Sequence, residues 1–193
     1  MAEDGQAIIN IRGEQVGLGP IRRDLLPLHV KWANDPDVTL TLAGTAGPST
    51  LEDQQAWYER DSKRQDTRVV FLIYELATAR PIGALDLSAV DQFNQTAWFA
   101  IFIGEKDCWG KGYGTEATRL TLGYAFGMLG LHNVTLSVHA DNERAIRAYT
   151  RAGFTVVGRR REVVRRAGRY LDLVLMDCLA HEFRGQSESG PPY

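Results

Sequence analysis

Residues 109–115 read WGKGYGT, between an apolar run at 95–104, QTAWFAIFIG, and a stretch of helical periodicity. Gly110, Gly112 and Gly114 alternate, so the chain turns tightly and brings several N–H groups up to a bound oxyanion, while the following helix N-terminus adds partial positive charge. The pattern reads as a diphosphate cradle, although a plain strand-to-helix turn uses glycine in the same way. Two other phosphate loops fail on spacing. A P-loop needs Ser or Thr after Gly-Lys, and Lys111 is followed by Gly112. A dinucleotide fingerprint needs a third glycine where Thr115 stands, and an acid some distance on where the chain has Leu131 and His132.

The apolar run before the cradle is apolar on both alternate sets, Ala97/Phe99/Ile101/Ile103 and Trp98/Ala100/Phe102, which predicts a central strand buried on both faces. After the cradle, Leu122, Ala125, Phe126 and Leu129 mark one face of a helix opening near Thr115 and ending at Gly130. NVTLSVHA alternates as a strand, and Ala145, Ala148, Tyr149 and Ala152 repeat at helical spacing until Gly153. Residues 154–164 and 169–180 read as two strands about the turn Arg166-Ala167-Gly168. Upstream, RVVFLIYEL and RPIGALDLSAV form a hairpin, residues 16–20 a short strand, and Leu25, Leu28 and Trp32 a helix ending before Asn34-Asp35-Pro36. LAGTAGPS is a loop, and a second helix starts at Ser49 or Thr50, with Glu52 and Asp53 completing a capping box. The order predicts a mixed α/β (α+β) sheet with helices on both faces. Residues 1–15 are expected as an N-terminal extension, 16–183 as one domain and the polar tail 184–193 as a flexible end.

Composition narrows the function. The net charge of −2 and pI of 6.1 supply no basic field for nucleic acid or an anionic membrane. No long apolar run or signal pattern occurs, and MAEDGQ is polar and acidic. Cys108 and Cys178 form neither a disulfide framework nor a metal pair, so a reducing cytoplasm is expected, with no metal.

Trp109, Gly110, Lys111, Gly112, Tyr113 and Gly114 resemble the Q/R-x-x-G-x-G/A turn of the GNAT acetyltransferase superfamily, with Trp109 in place of Gln or Arg. An aromatic residue there, followed by GKGYGTEA, is similar to the RimJ/RimL branch of ribosomal-protein N-terminal acetyltransferases. The family's later motif, N-x-x-A-x-x-x-Y-x-x-x-G-F, matches Asn142, Ala145, Tyr149, Gly153 and Phe154 at every spacing. The resemblance covers residues 16–180. It implies a mostly antiparallel sheet whose central strands splay, acetyl-CoA as co-substrate, and direct acetyl transfer to a primary amine. By the same resemblance the 109–115 turn, Thr115 included, holds the diphosphate. The backbones of Ile101, Phe102 and Ile103 and the Asn142 side chain would meet the pantetheine, and Tyr149 would act as general acid. Read from the residues alone, Asn142 is a helix cap and Tyr149 a core tyrosine.

Amine acylation needs a neutral nucleophile, so a base or water must take a proton from an ammonium whose pKa is about 10. Where the RimJ/RimL-like branch often has a strand glutamate, this chain has Trp98. Asp86, Glu105, His139 and ordered water remain as candidates. Cys108 beside the cradle raises an acyl-cysteine route, which the family's direct transfer argues against. Arg144, Arg147 and Arg151 share a helix face and read equally as a clamp on the CoA 3′-phosphate or as a solvated surface. Six further arginines in 159–169 read as a solvated hairpin. The acceptor is a small amine, a polyamine or a protein N-terminus, and a homodimer is left open. The alternative function is an acyl-CoA-binding regulatory module with little turnover.

Overall fold

The computed structural model describes residues 7–40, 42, 47–63, 66–166 and 168–183. The expected tail at 184–193, residues 43–46 of the LAGTAGPS loop, Ala167 of the hairpin turn and the MAEDGQ start lie outside the described residues. Eight strands form one sheet: β1 (Ile11–Arg12), β2 (Val16–Gly19), β3 (Val69–Glu75), β4 (Arg80–Asp91), β5 (Thr96–Ile103), β6 (Asn133–His139), β7 (Thr155–Arg166) and β8 (Arg169–Leu179). Their order is β1-β2-β3-β4-β5-β6-β8-β7. Every neighbouring pair is antiparallel except β5 with β6. Among the described residues five α-helices complete the fold: α1 (Leu26–Ala33), α2 (Pro36–Thr39), α3 (Leu51–Asp61), α4 (Tyr113–Gly127) and α5 (Glu143–Ala152).

The parallel join is short. Thr96, Ala97 and Trp98 face Asn133, Val134 and Thr135, and beyond Trp98 the two strands diverge although each continues along its outer neighbour. The expected splay of the central strands is therefore present between β5 and β6.

Alternation along the strands sorts the side chains into two layers. Phe71, Ile73, Leu85, Leu87, Ala97 and Phe99 pack with Ala117, Leu122, Ala125 and Phe154 in the main core, beneath α4 and α5. Leu72, Tyr74 and Ala84 form a smaller cluster on the opposite face, with Ile21, Leu25 and Phe102 against it. There Trp32 of α1 meets the Phe102 ring edge-on at 5.7 Å. Gly104 admits this contact, since a Cβ there would lie 2.4 Å from the Trp32 ring.

Three expectations change. β5 is not buried on both faces: Ala97 and Phe99 are buried, but Trp98 is 46% exposed, because its second face lines a cleft rather than a packed layer. Residues 11–12 pair with Gly17 and Leu18 and bury Ile11, so packing begins before Val16. Asn34-Asp35-Pro36 does stop α1, but the Asp35 side chain accepts the N–H of Asp37 and, with Pro36 at the first position, opens α2 at once. The capping box at Thr50 and Asp53 forms as expected and starts α3.

Candidate active site

The gap between β5 and β6 opens into one continuous cleft of about 1230 Å³ that runs through to both faces of the sheet. Its first wall is the glycine turn. Gly110 and Gly112 have φ of 79° and 89°, a backbone conformation that other residues adopt only with strain. Gly112 is the N-cap of α4 and no side chain caps the helix, so the first N–H groups of α4 are left for a ligand. A Cβ built on Gly110 or Gly112 would meet nothing within 4 Å, and one on Gly114 only Ile103 Cγ1 at 3.8 Å. Open space above uncapped N–H groups fits an anion the size of a diphosphate. Trp109, Gly110, Gly112, Tyr113, Gly114 and Thr115 all line the cleft, whereas Lys111 stands off it, its ammonium 5.9 Å from the Tyr113 ring centre.

The turn is braced from below. Tyr113 donates its hydroxyl to Glu75 at 2.9 Å, and Thr78 donates to the same carboxylate at 2.7 Å. Arg80 reaches Asp107 at 2.7 Å and the Cys108 sulfur at 3.2 Å. Cys108 is buried, and burial pushes its thiol pKa up, which leaves it an inert packing residue rather than a nucleophile. Trp109 donates its indole N–H to the Ile103 carbonyl at 2.8 Å and carries the Arg144 guanidinium 4.3 Å from its ring centre. Arg144, Arg147 and Arg151 of α5 all border the cleft.

The second wall is the diverging edge of β5. Gly104 donates its N–H to the Ile82 carbonyl, and antiparallel alternation from that bond makes Phe102 and Ala84 a hydrogen-bonded pair. The backbone groups of Ile101 and Ile103 therefore point into the gap. Those of Phe102, expected beside them, turn to β4 instead. The Ile103 carbonyl is taken by Trp109, which leaves the Ile101 groups and the Ile103 N–H toward the cleft.

The third wall is α5. Asn142 caps it by accepting the Ala145 N–H through Oδ1 at 3.1 Å, and its Nδ2 has no protein partner among the described residues. Capping and ligand binding thus use different atoms of one side chain. Tyr149 lies on the core side of the sheet, edge-on to Phe99 with ring centres 6.3 Å apart. Its hydroxyl makes no protein hydrogen bond among the described residues, and burial pushes its pKa up to about 12, so it is a phenol and never a phenolate near neutral pH.

The base candidates separate cleanly. Glu105 accepts from Lys31 at 2.8 Å and from the Trp32 indole at 2.8 Å, which holds it ionised in a tie between α1 and the β5 end, away from the cleft. His139 is buried beside the cleft without lining it, and burial lowers its pKa. Asp86 lines the cleft on the face opposite Tyr149, one step along the ladder from Trp98, and ion-pairs with Arg68 at 3.3 Å. Trp98, which stands where the branch often has a glutamate, surrounds the same end together with His29 and Trp57.

Residues 15–155 match the family model for the acetyltransferase (GNAT) domain. The uncharacterized N-acetyltransferase p20 of Bacillus licheniformis is 28% identical over 80% of this chain and 87% of its own length. Spermidine N(1)-acetyltransferase of Vibrio cholerae is 30% identical over 60% of this chain and 66% of its own. The structure of a Vibrio cholerae spermidine N-acetyltransferase with CoA and spermine superposes with a TM-score of 0.81 at 23% identity, covering 88% of this chain and 98% of that one. Among the described residues no three potential metal ligands cluster, and no helix is long and apolar enough to cross a membrane. An open splay, an uncapped glycine turn and a free phenol on the facing helix, together with a family model that spans the whole arrangement, place the chain in the GNAT acetyltransferase family.

Proposed function

We propose that this enzyme, an acetyl-CoA-dependent N-acetyltransferase, binds acetyl-CoA along the splay and moves the acetyl group directly to an amine that enters from the opposite face. The observation that carries this reading is the gap beyond Trp98, where strand backbone, uncapped helix N–H groups and the Tyr149 hydroxyl converge.

The N–H groups at 113–115 receive the diphosphate, with Arg144 and its neighbours on α5 supplying positive charge to the phosphates. Ile101 and the Ile103 N–H hold the pantetheine arm as an added strand would, and Asn142 Nδ2 gives it a further donor. Those strand N–H groups also stand where an oxyanion develops as the nitrogen adds to the thioester carbonyl. Tyr149 donates a proton to the departing sulfur. A thiol pKa near about 8.5 makes the thiolate a competent leaving group already, so the phenol assists departure rather than enabling it.

The reading is tested by CoA release from acetyl-CoA, with and without added amine. Release that depends on the amine and drops in Tyr149→Phe supports it. Tight acetyl-CoA binding without release in the presence of amines would instead mark a regulatory acyl-CoA-binding module.

A further inference from the structure

Outside the acetyl-CoA half of the cleft, one set of side chains has no role in the reading so far. On the α1/α3 face of the sheet, Asp86 pairs across the ladder with Ala100, and Ser88 with Trp98. Trp98 and Asp86 are thus diagonal neighbours on one face, at about 7–8 Å. Trp57 of α3 closes this end from above, its ring 4.9 Å from that of His29, with Val38, Leu42 and Val70 completing an apolar lining.

We infer that the acceptor is a small amine with a single positive charge on an apolar, ring-sized body, its nitrogen received by Asp86. The inference rests on the acetyltransferase reading and narrows its substrate. Charge decides it. Among the described residues, Asp53 and Asp86 are the carboxylates that line the cleft; Asp53 is exposed at the start of α3, where one oxygen accepts the Thr50 N–H at 2.8 Å in the capping box, and Asp86 is the one on the sheet face beside Trp98. His29 is 5% exposed, its Nε2 has no partner, and burial lowers its pKa to about 4, so it is neutral and neither repels nor binds an ammonium. Arg68 lies between Asp86 and Asp61, whose side chain is 1% exposed, and its guanidinium would repel any second ammonium brought alongside the first. A polyamine held at Asp86 would lay its further charges along Trp57, Trp98 and Val70, where the exposed Asp53 is the one other carboxylate, and would lose solvation there. A flat apolar body fits those same walls.

Asp86 and Tyr149 also divide the proton traffic. They lie on opposite faces of the sheet with the gap between them. Asp86 takes a proton from the entering ammonium, and the neutral nitrogen forms the new C–N bond. As the C–S bond breaks, Tyr149 protonates the sulfur, and the second nitrogen proton passes to the Tyr149 phenolate and restores its hydroxyl. Asp86 then loses its proton to solvent, so one ammonium and one thioester give one amide, one thiol and one released proton. Burial raises the Asp86 pKa, with Arg68 and Ser88 acting against that rise and Asp61 adding to it, which brings the carboxylate closer to a useful base than an exposed aspartate.

The test compares 2-phenylethylamine, spermidine and a short peptide with a free N-terminal serine as acceptors for the full chain, read as CoA release. The expected result is a kcat/KM for 2-phenylethylamine about tenfold or more above the other two. Asp86→Asn should lower it by about 10²-fold or more while acetyl-CoA affinity, measured by calorimetry, is unchanged. Trp98→Glu, at a half-exposed site that should not disturb folding, adds a second carboxylate and should turn preference toward spermidine; it carries the test if Asp86→Asn does not fold. Preference for spermidine or for the peptide in the natural chain, or full activity in Asp86→Asn, overturns the inference and leaves the acetyltransferase reading standing. Absence of CoA release with all three acceptors defeats that reading and the inference with it.

Discussion

Arg144 stacks on Trp109, its guanidinium 4.3 Å from the indole centre, and so joins the helix that bears Tyr149 to the glycine turn. The family motif has Gln or Arg where this chain has Trp109. Here the positive charge comes from α5, and the indole holds it in place.

Breaking that stack should weaken acetyl-CoA binding more than catalysis. Trp109→Ala loses a cation–π contact and a hydrogen bond to Ile103, each about 1 kcal/mol, and frees the Arg144 side chain. Calorimetry should show Kd for acetyl-CoA rising about tenfold. Trp109→Arg should recover part of that loss. Unchanged affinity in Trp109→Ala would mean that the stack is only surface packing.

Gly114→Val should abolish acetyl-CoA binding in a folded chain. Unlike Gly110 and Gly112, Gly114 does not have a positive φ, so the substitution brings no such backbone strain, and its side chain enters the open space above the cradle. Far-ultraviolet circular dichroism checks the fold and calorimetry the binding. A folded variant with native affinity would move the diphosphate elsewhere.

Tyr149→Phe removes one hydroxyl and keeps the edge-on contacts with Phe99 and Phe154. Its kcat should fall by about 10² to 10⁴, nearer the small end because the thiolate leaves readily, with acetyl-CoA affinity nearly unchanged. Since the phenol pKa is pushed up to about 12, the natural enzyme should show no alkaline loss of kcat from this group below about pH 10. Full kcat in Tyr149→Phe, with chemistry limiting the rate, would make the tyrosine a core residue.

His29 should make the protein acid-sensitive. Its folded pKa of about 4 lies below the ordinary 6.5, so the unfolded chain binds the extra proton first as pH falls. Stability conferred by keeping it neutral is whole above about pH 6.5 and is lost progressively down to about pH 4, by about 3 kcal/mol. Urea midpoints measured across that window should fall in the natural chain and fall less in His29→Phe. Parallel curves would place the acid sensitivity in other groups.

The parts of the site legible in the sequence are those held within one turn or one helix. The cradle glycines, the Asn142 cap and the position of Tyr149 depend on spacing along a local element, and all stand where the spacing puts them. The acceptor end was not legible, because Asp86 neighbours Trp98 only through the register of β4 on β5, and Trp57 joins their cleft only through the packing of α3 against α1. The same limit hid Phe102, whose backbone direction depends on which antiparallel pairs are hydrogen-bonded, and Ile11, two strand residues too short to carry a pattern. Trp98 stands where the resemblance leads one to look for a base; its structural place is a wall of the cleft.

The short parallel join between β5 and β6 makes the sheet two panels rather than one. The panel from β1 to β5 and the panel of β6, β8 and β7 share only three rungs, at Thr96, Ala97 and Trp98. On the proposed reading, a pantetheine arm laid in the gap would supply the rungs that the chain omits, so the co-substrate would act as a keystone as well as a donor. Turnover would then remove and replace that keystone each cycle, so the molecule's mechanical stiffness would rise and fall in step with its chemistry.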